Sequence, residues 1–474
     1  MQVTSDNQMK FFPYSDESDK PESIEGSPQV IEDAVPQELF REVEKGNQIA
    51  DSIKKPTRIF LLLSASLSNV CYFTHTTTTN TLQAQIQQKL AISETQYGLI
   101  TTCLAIPSVI VPLFLGALID RLGSRISLLL GSLILVIGDI ITFIGAINAN
   151  LNVVLAGQLI FGLGTDSMVI SKVKIMQKWF KGKDFALATG LSVVLIAVCI
   201  IAVSSLSPVL FNINNSLFLP FFVELLFGAF SFGMSALAAL IDKKNDNAFE
   251  KFHVSEKIEK FSFSALRAMP KLFWYVCMSG VLSYGTYSLM NLISSKFIQV
   301  RFGMLDSQSG YLRAIPQLGV LAIPIWLGWL LDRYGKRIHA FTFGVTALMI
   351  AFILNATLPN CSGCYTVVAP FILEGIYIGV FGVTFYPMIG LVVKTENVGL
   401  AMGTFTWFIG IFGAILSPID GAIIDATKEG EMHGYSAVFW FLLCFQVICM
   451  GLLLLAVKKD LRTGKILTRG AKDF

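Results

Sequence analysis

GALIDRLGSR at residues 116–125 and GWLLDRYGKR at 328–337 write one pattern twice, G-x-x-x-D-R-x-G-x-R. Each copy closes one long apolar stretch and opens the next, at matching points of two apolar halves of a 474-residue chain. A D-R-x-G turn is ordinary in a soluble protein. Its return at corresponding places argues for a membrane protein built from two related bundles.

Composition agrees. Hydrophobic residues make up 53% of the chain and charged residues 15%, against roughly 25% charged in soluble domains. Phe occurs 37 times, and the mean hydropathy is +0.63. A net charge of +3 gives no face for nucleic acid. Of the eight cysteines, only Cys361 and Cys364 lie in a loop, PNCSGC. Zinc would need two further ligands nearby and none is seen, so a local disulfide is open if that loop faces an oxidising compartment. Residues 1–57 are acidic and rich in Ser and Pro, which reads as a disordered cytoplasmic tail; the secretory-signal pattern is missing.

Apolar segments near the roughly 20 residues needed for a bilayer run at 58–82, 97–119, 126–147, 152–176, 185–210, 217–241, 271–295, 307–331, 338–358, 365–393, 397–424 and 435–457. The expected architecture is therefore all-α, twelve transmembrane helices in two six-helix bundles, 58–241 and 269–458. A charged cytoplasmic linker at 242–268 joins them, and 459–474 forms a tail. Lys and Arg gather after the even-numbered spans, which puts both termini in the cytoplasm. Lys89, Lys296, Arg301 and Lys428 are the main exceptions. Sequons at Asn214, Asn355 and Asn360 then fall on the opposite side, where glycosylation is chemically available.

Twelve spans, a central linker and the doubled turn resemble the major facilitator superfamily over about 58–460. That resemblance implies bundles that rock about a central site. It makes Asp120, Arg121 and Arg125 a cytoplasmic latch, repeated by Asp332, Arg333 and Arg337 in the second half. Within the superfamily, TLQAQI (81–86), FGLGTDS (161–167), WFKGKDFALATGL (179–191), KFIQVRFG (296–303) and YPMIGLVV (386–393) resemble the lysosomal dipeptide transporter branch. The implied function is secondary active or facilitative transport of a small polar organic solute, dipeptides or amino-acid-like molecules included. The implied location is a lysosomal or endosomal membrane, with the plasma membrane left open. The partners are a small-molecule substrate, the lipid bilayer and, by the same resemblance, an accessory membrane glycoprotein; no cofactor is expected.

Ionisable residues at membrane depth are costly, so each is a functional candidate. Asp166 follows GLG (162–164) in the fourth span and could grip an α-ammonium group, or serve as an interhelical partner. Arg313 in the eighth span suits a carboxylate, or the lumenal rim. Glu374, early in the tenth, is either a substrate contact or a residue reaching water. His75, in CYFTHTTTTN of the first span, could line the cavity and take up a proton. Asp139 and Glu224 are assigned to packing, and Lys172 and Lys174 to gating or anchoring.

Two departures from relatives stand out. Gln158 replaces an Arg common in the fourth span, and the fifth span has Ala197 where the dipeptide branch has a substrate-binding Arg. A receptor or assembly subunit that keeps the fold without transport is therefore the competing reading. No phosphate-cradling Lys motif or catalytic constellation is visible, so neither an ATP-driven pump nor an enzyme is expected.

Overall fold

The computed structural model describes residues 55–111, 122–180, 183–246, 266–393, 398–427, 434–462 and 465–468. Among them there is no strand, and twelve long helices follow in order. α1 (Lys55–Thr81) is broken between Leu67 and Val70 and passes through Leu82 into a short helix, Gln83–Leu90. Then come α2 (Glu94–Ile110), α3 (Ser124–Ile147), α4 (Leu151–Trp179), α5 (Lys183–Asn214) and α6 (Phe218–Lys244). The second half has α7 (Lys271–Phe302), α8 (Asp306–Tyr334), α9 (Arg337–Thr357), α10 (Val368–Val392), α11 (Val398–Thr427) and α12 (Tyr435–Arg462).

Ten of these are long and apolar enough to cross a membrane. Of the other two, α2 is 17 residues long as described, and α7, at 32 residues, carries Lys271, Lys296 and Arg301. α6 and α12 both run past the boundaries expected at 241 and 458. The first tail, most of the linker, Asp120 and Arg121 lie outside the described residues, as does the side chain of Asp332.

Helix starts follow local chemistry. Ser93 caps α2 by accepting from the Gln96 amide at 3.2 Å, while Gln96 Oε1 accepts from the Ser93 amide at 3.0 Å. Asn150 caps α4. Gly123 and Gly335, the second glycines of the two turns, both have positive φ, 82° and 69°, a region that suits residues without a Cβ.

The helices are inverted relative to a soluble protein. On α3, Ile126, Leu130, Leu133, Ile137, Ile140 and Ile144 are exposed, at helical spacing. Ser127, Gly131, Ser132, Gly138, Asp139 and Thr142 face inward. Lipid takes the apolar stripe, and small or polar residues let the helices approach. α3 packs along α4 in the first half, and α10 packs between α8 and α9 in the second. The halves meet where α2 lies along α11, α5 against α8, and α1 against α7.

Candidate substrate site and cross-bundle gate

Asp166 stands on α4 one turn after Gly162. A Cβ at Gly162 would collide with the Leu104 carbonyl of α2, and one at Gly164 with the Gly131 carbonyl of α3. The GLG sequence therefore serves close packing, and it seats Asp166 against α2. There Ser108 donates to one carboxylate oxygen. The other, Oδ2, is buried without a partner. Tyr72 of α1 lies within electrostatic range of Asp166 and of Tyr284 of α7.

In the second half Arg313 and Glu374 share one neighbourhood. Arg313 is 6% exposed and Glu374 1%, and the two interact electrostatically with each other and with Tyr287. The Arg313 guanidinium donates to Ser294 Oγ at 2.7 Å, to the Asn291 carbonyl at 3.1 Å and, across the seam, to Thr81 Oγ1 of α1. All these acceptors are neutral. Glu374 accepts from Asn355 Nδ2 at 3.3 Å, and the buried Tyr287 and Tyr377 side chains meet those of Asn291 and Ser283. Tyr287, Tyr377 and Tyr284 stand close together, with Phe381 and Phe405 beside Tyr284.

His75 is not with them, which corrects its expected place in the cavity. It is fully buried inside the first bundle and stacked on Phe161 with ring centroids 4.0 Å apart. Its Nδ1 lies 2.5 Å from Glu224 Oε1 and 3.1 Å from Asp139 Oδ1, and Gln158 Nε2 meets its Nε2 at 2.8 Å. Carboxylates on α3 and α6 draw the ring inward, so Asp139 and Glu224 do more than pack. Lys172 is 7% exposed, and no hydrogen bond to it is seen among the described residues. Asp420 of α11 is a buried acid that sequence reading did not single out, and neither of its oxygens finds a donor. Its position in an apolar span was the available signal.

Of the turn residues, Arg125 is paired within its own bundle. It donates to Asp246 Oδ2 at 2.6 Å and to Asp242 at the end of α6, where Lys178 and Trp179 of α4 also converge. Arg333 is exposed and lies over the rings of Trp329 and Tyr334, 5.6 Å from each centroid. Arg337 opens α9 and is half-buried.

Sequence reading also missed a charged contact between the two bundles. Lys296, an exception to the charge rule, is not in a loop: α7 continues to Phe302. Its Nζ reaches Glu94 Oε1 and Gln87 Oε1, both at 2.5 Å, across the seam. Gln83 and Gln87 donate to the other Glu94 oxygen at 3.1 and 2.7 Å. Asp425 of α11 accepts from the Glu94 and Thr95 amides, and Ser295 donates to the Thr81 carbonyl at 2.6 Å. Farther along, Thr102 donates to the Ala414 carbonyl and the Trp407 indole to the Val109 carbonyl. The dense part of this seam lies where α1, α7 and α11 end and α2 and α8 begin. Arg301, also inside α7, is 2% exposed and donates to the Asn355 and Leu358 carbonyls, so it caps the last turn of α9.

Two six-helix bundles that meet along a polar seam with buried charges on both sides are the architecture of a membrane transporter. The chain belongs to the Major Facilitator Superfamily, whose sequence pattern matches residues 65–312 and 275–472. It is similar to the lysosomal dipeptide transporter MFSD1 of Homo sapiens, 23% identical over 412 residues that cover 84% of each chain. It is also similar to the MFSD1 of Danio rerio, 22% identical over 390 residues, 79% of this chain and 80% of that one. In fold it resembles the nucleoside transporter NupG, with TM-score 0.64 and 14% identity over 85% of this chain and 99% of that one. A structure of proton dependent oligopeptide transporters also has TM-score 0.64, at 15% identity over 85% and 99% of the two chains. These two likenesses speak to the fold alone.

Proposed function

We propose that the protein carries dipeptides or similar zwitterionic solutes across a lysosomal or endosomal membrane, with both termini cytoplasmic. The observation behind this is a pair of incompletely satisfied polar groups on opposite bundles. Asp166 keeps one buried oxygen without a donor, while Arg313 on the other bundle is buried with only neutral acceptors. Buried polar atoms left open at a functional seam are waiting for a ligand. Asp166 would hold the ammonium group. Arg313, whose present acceptors are all neutral, would exchange one of them for the substrate carboxylate. The name of the similar MFSD1 proteins supplies the substrate class and the compartment. Asp120, Arg121, Arg125, Asp332, Arg333 and Arg337 would form the cytoplasmic latch, opposite the Lys296–Glu94 gate.

Dipeptide binding to purified protein tests this reading. Asp166→Asn should weaken binding by roughly 1.5–3 kcal/mol, the scale of a hydrogen bond to a charged group. Dipeptides with a blocked amino terminus should bind poorly to the wild type and be little changed by the substitution. Equal losses for free and blocked peptides would make Asp166 structural and remove the reading.

A further inference from the structure

The His75 cluster is used by neither the substrate site nor the gate, yet it buries two carboxylates and an imidazole deep inside the first bundle. Asp139, His75 and Glu224 are 1%, 0% and 2% exposed. Two carboxylates converge on one ring nitrogen, and the remaining oxygens, Asp139 Oδ2 and Glu224 Oε2, have no donor. A Cβ at Gly228 would stand 3.0 Å from Asp139 Oδ2 and 3.5 Å from Cys71 Sγ, so a thiol and bare backbone line that side. α4 contributes Gln158 and Phe161, and α5 contributes only hydroxyls such as Ser207, which meets Thr78 at 3.5 Å. Cys71 is the remaining titratable group facing the two acids among the described residues.

Charge counting decides what is missing. As arranged, Nδ1 donates to the acids and Nε2 accepts from Gln158, which is the neutral imidazole. Two ionised carboxylates would then leave two negative charges in a membrane-buried bundle. Even an imidazolium would leave one. Excess charge at that depth is too costly to persist, so the cluster must hold a further positive equivalent. A metal ion is a poor fit: ligands about 2.1 Å from a metal stand well over 2.5 Å apart, whereas Nδ1 and Glu224 Oε1 are already at 2.5 Å. That spacing belongs to a shared proton.

We propose that His75, Asp139 and Glu224 form a proton-binding site inside the first bundle, with the exchanging proton carried on a carboxyl oxygen of Glu224 or Asp139. A small crevice between α1, α5 and α6 adjoins it; Thr74, Thr78, Ser207 and Glu224 line it among apolar residues such as Val203 and Phe227, and it lies toward the end where α5 finishes and α6 begins. That is the gated end. The site is also tied to the gate mechanically, because His75 lies less than two turns before Thr81, whose hydroxyl and carbonyl hold Arg313 and Ser295 across the seam. A proton bound there therefore loads the helix that closes that end.

The test needs no substrate. Infrared spectra of the purified protein, taken across a pH titration in water and in heavy water, should show a protonated-carboxyl band that disappears as pH rises. Glu224→Gln and Asp139→Asn, each isosteric, should delete or shift that band and lower the number of protons released per molecule. His75→Gln should move the pH at which the band disappears. In liposomes with an imposed pH gradient, dipeptide uptake should respond to the gradient in the wild type and lose that response in Glu224→Gln. A spectrum without such a band, or one unchanged in both carboxamide variants, overturns the proposal. So does saturable calorimetric binding of zinc or manganese that is lost in His75→Gln. Because the band is read without substrate, its absence would leave the assignment of Asp166 standing or falling on its own test.

Discussion

Removing Lys296 should open the gate by a predictable amount. Its ammonium holds Glu94 Oε1 and Gln87 Oε1 at 2.5 Å, and the two charged side chains are 26% and 8% exposed. A hydrogen bond to a charged group contributes about 1.5–3 kcal/mol when buried, and an exposed ion pair about 0.2–1. A quarter-exposed Lys on a buried Glu falls between them, at about 1–2 kcal/mol. Lys296→Met also leaves Glu94 with only the Gln83 and Gln87 amides as side-chain donors. The loss falls on the closed state alone, so the ratio of closed to open molecules should drop by a factor of roughly 5–30. Spin labels at Ile213 and Tyr365, exposed positions on opposite bundles at this end, would read the two populations. Cys103, Cys199 and Cys444 would be replaced first. Glu94→Gln combined with Lys296→Met should be less than additive, because the two act on one contact. A distance distribution within twofold of the wild type in Lys296→Met would refute the gate.

Gly421 of α11 packs directly on the Glu94 backbone, where a Cβ would collide with the carbonyl; Gly421→Ala should therefore favour the open end in the same label assay, with little change in thermal stability. Arg125 holds the Asp246 carboxyl below its usual range. The group's folded-state pKa is depressed, so its stabilisation is complete above the ordinary carboxylate pKa and fades as pH falls through the folded value. Screening at this partly exposed position keeps the effect small: Asp246→Asn should lower the melting temperature slightly at neutral pH and not at all in strong acid.

The doubled turn and the apolar spans made the architecture legible, because span length and Lys/Arg bias are linear properties of a sequence. Asp166 was singled out for the same reason: a charge at membrane depth is visible without knowing what it faces. Helix azimuth is not visible in that way. His75 and Glu224 are separated by 149 positions and His75 and Asp139 by 64, and only the rotation of α3 and α6 about their axes turns the acids onto one ring. Lys296 and Arg301 looked like loop charges that broke the orientation rule. Their explanation needed the true end of α7 and the carboxylate and carbonyls that meet them there. The packing role of the GLG glycines was equally hidden, since it depends on α4 lying against the Leu104 and Gly131 carbonyls of its neighbours.

The burial of Asn355 bears on how the chain matures. Its sequon reads N-A-T, but the folded amide is fully buried and donates to Glu374. Asn360, in the next sequon, is exposed, although its oxygen accepts from Arg301, and Asn214 is exposed at the end of α5. A sugar placed on Asn355 during synthesis would be wedged between α9 and α10 and would displace Glu374 from beside Arg313. The folded second bundle therefore carries Asn355 unmodified, with its amide spent on Glu374.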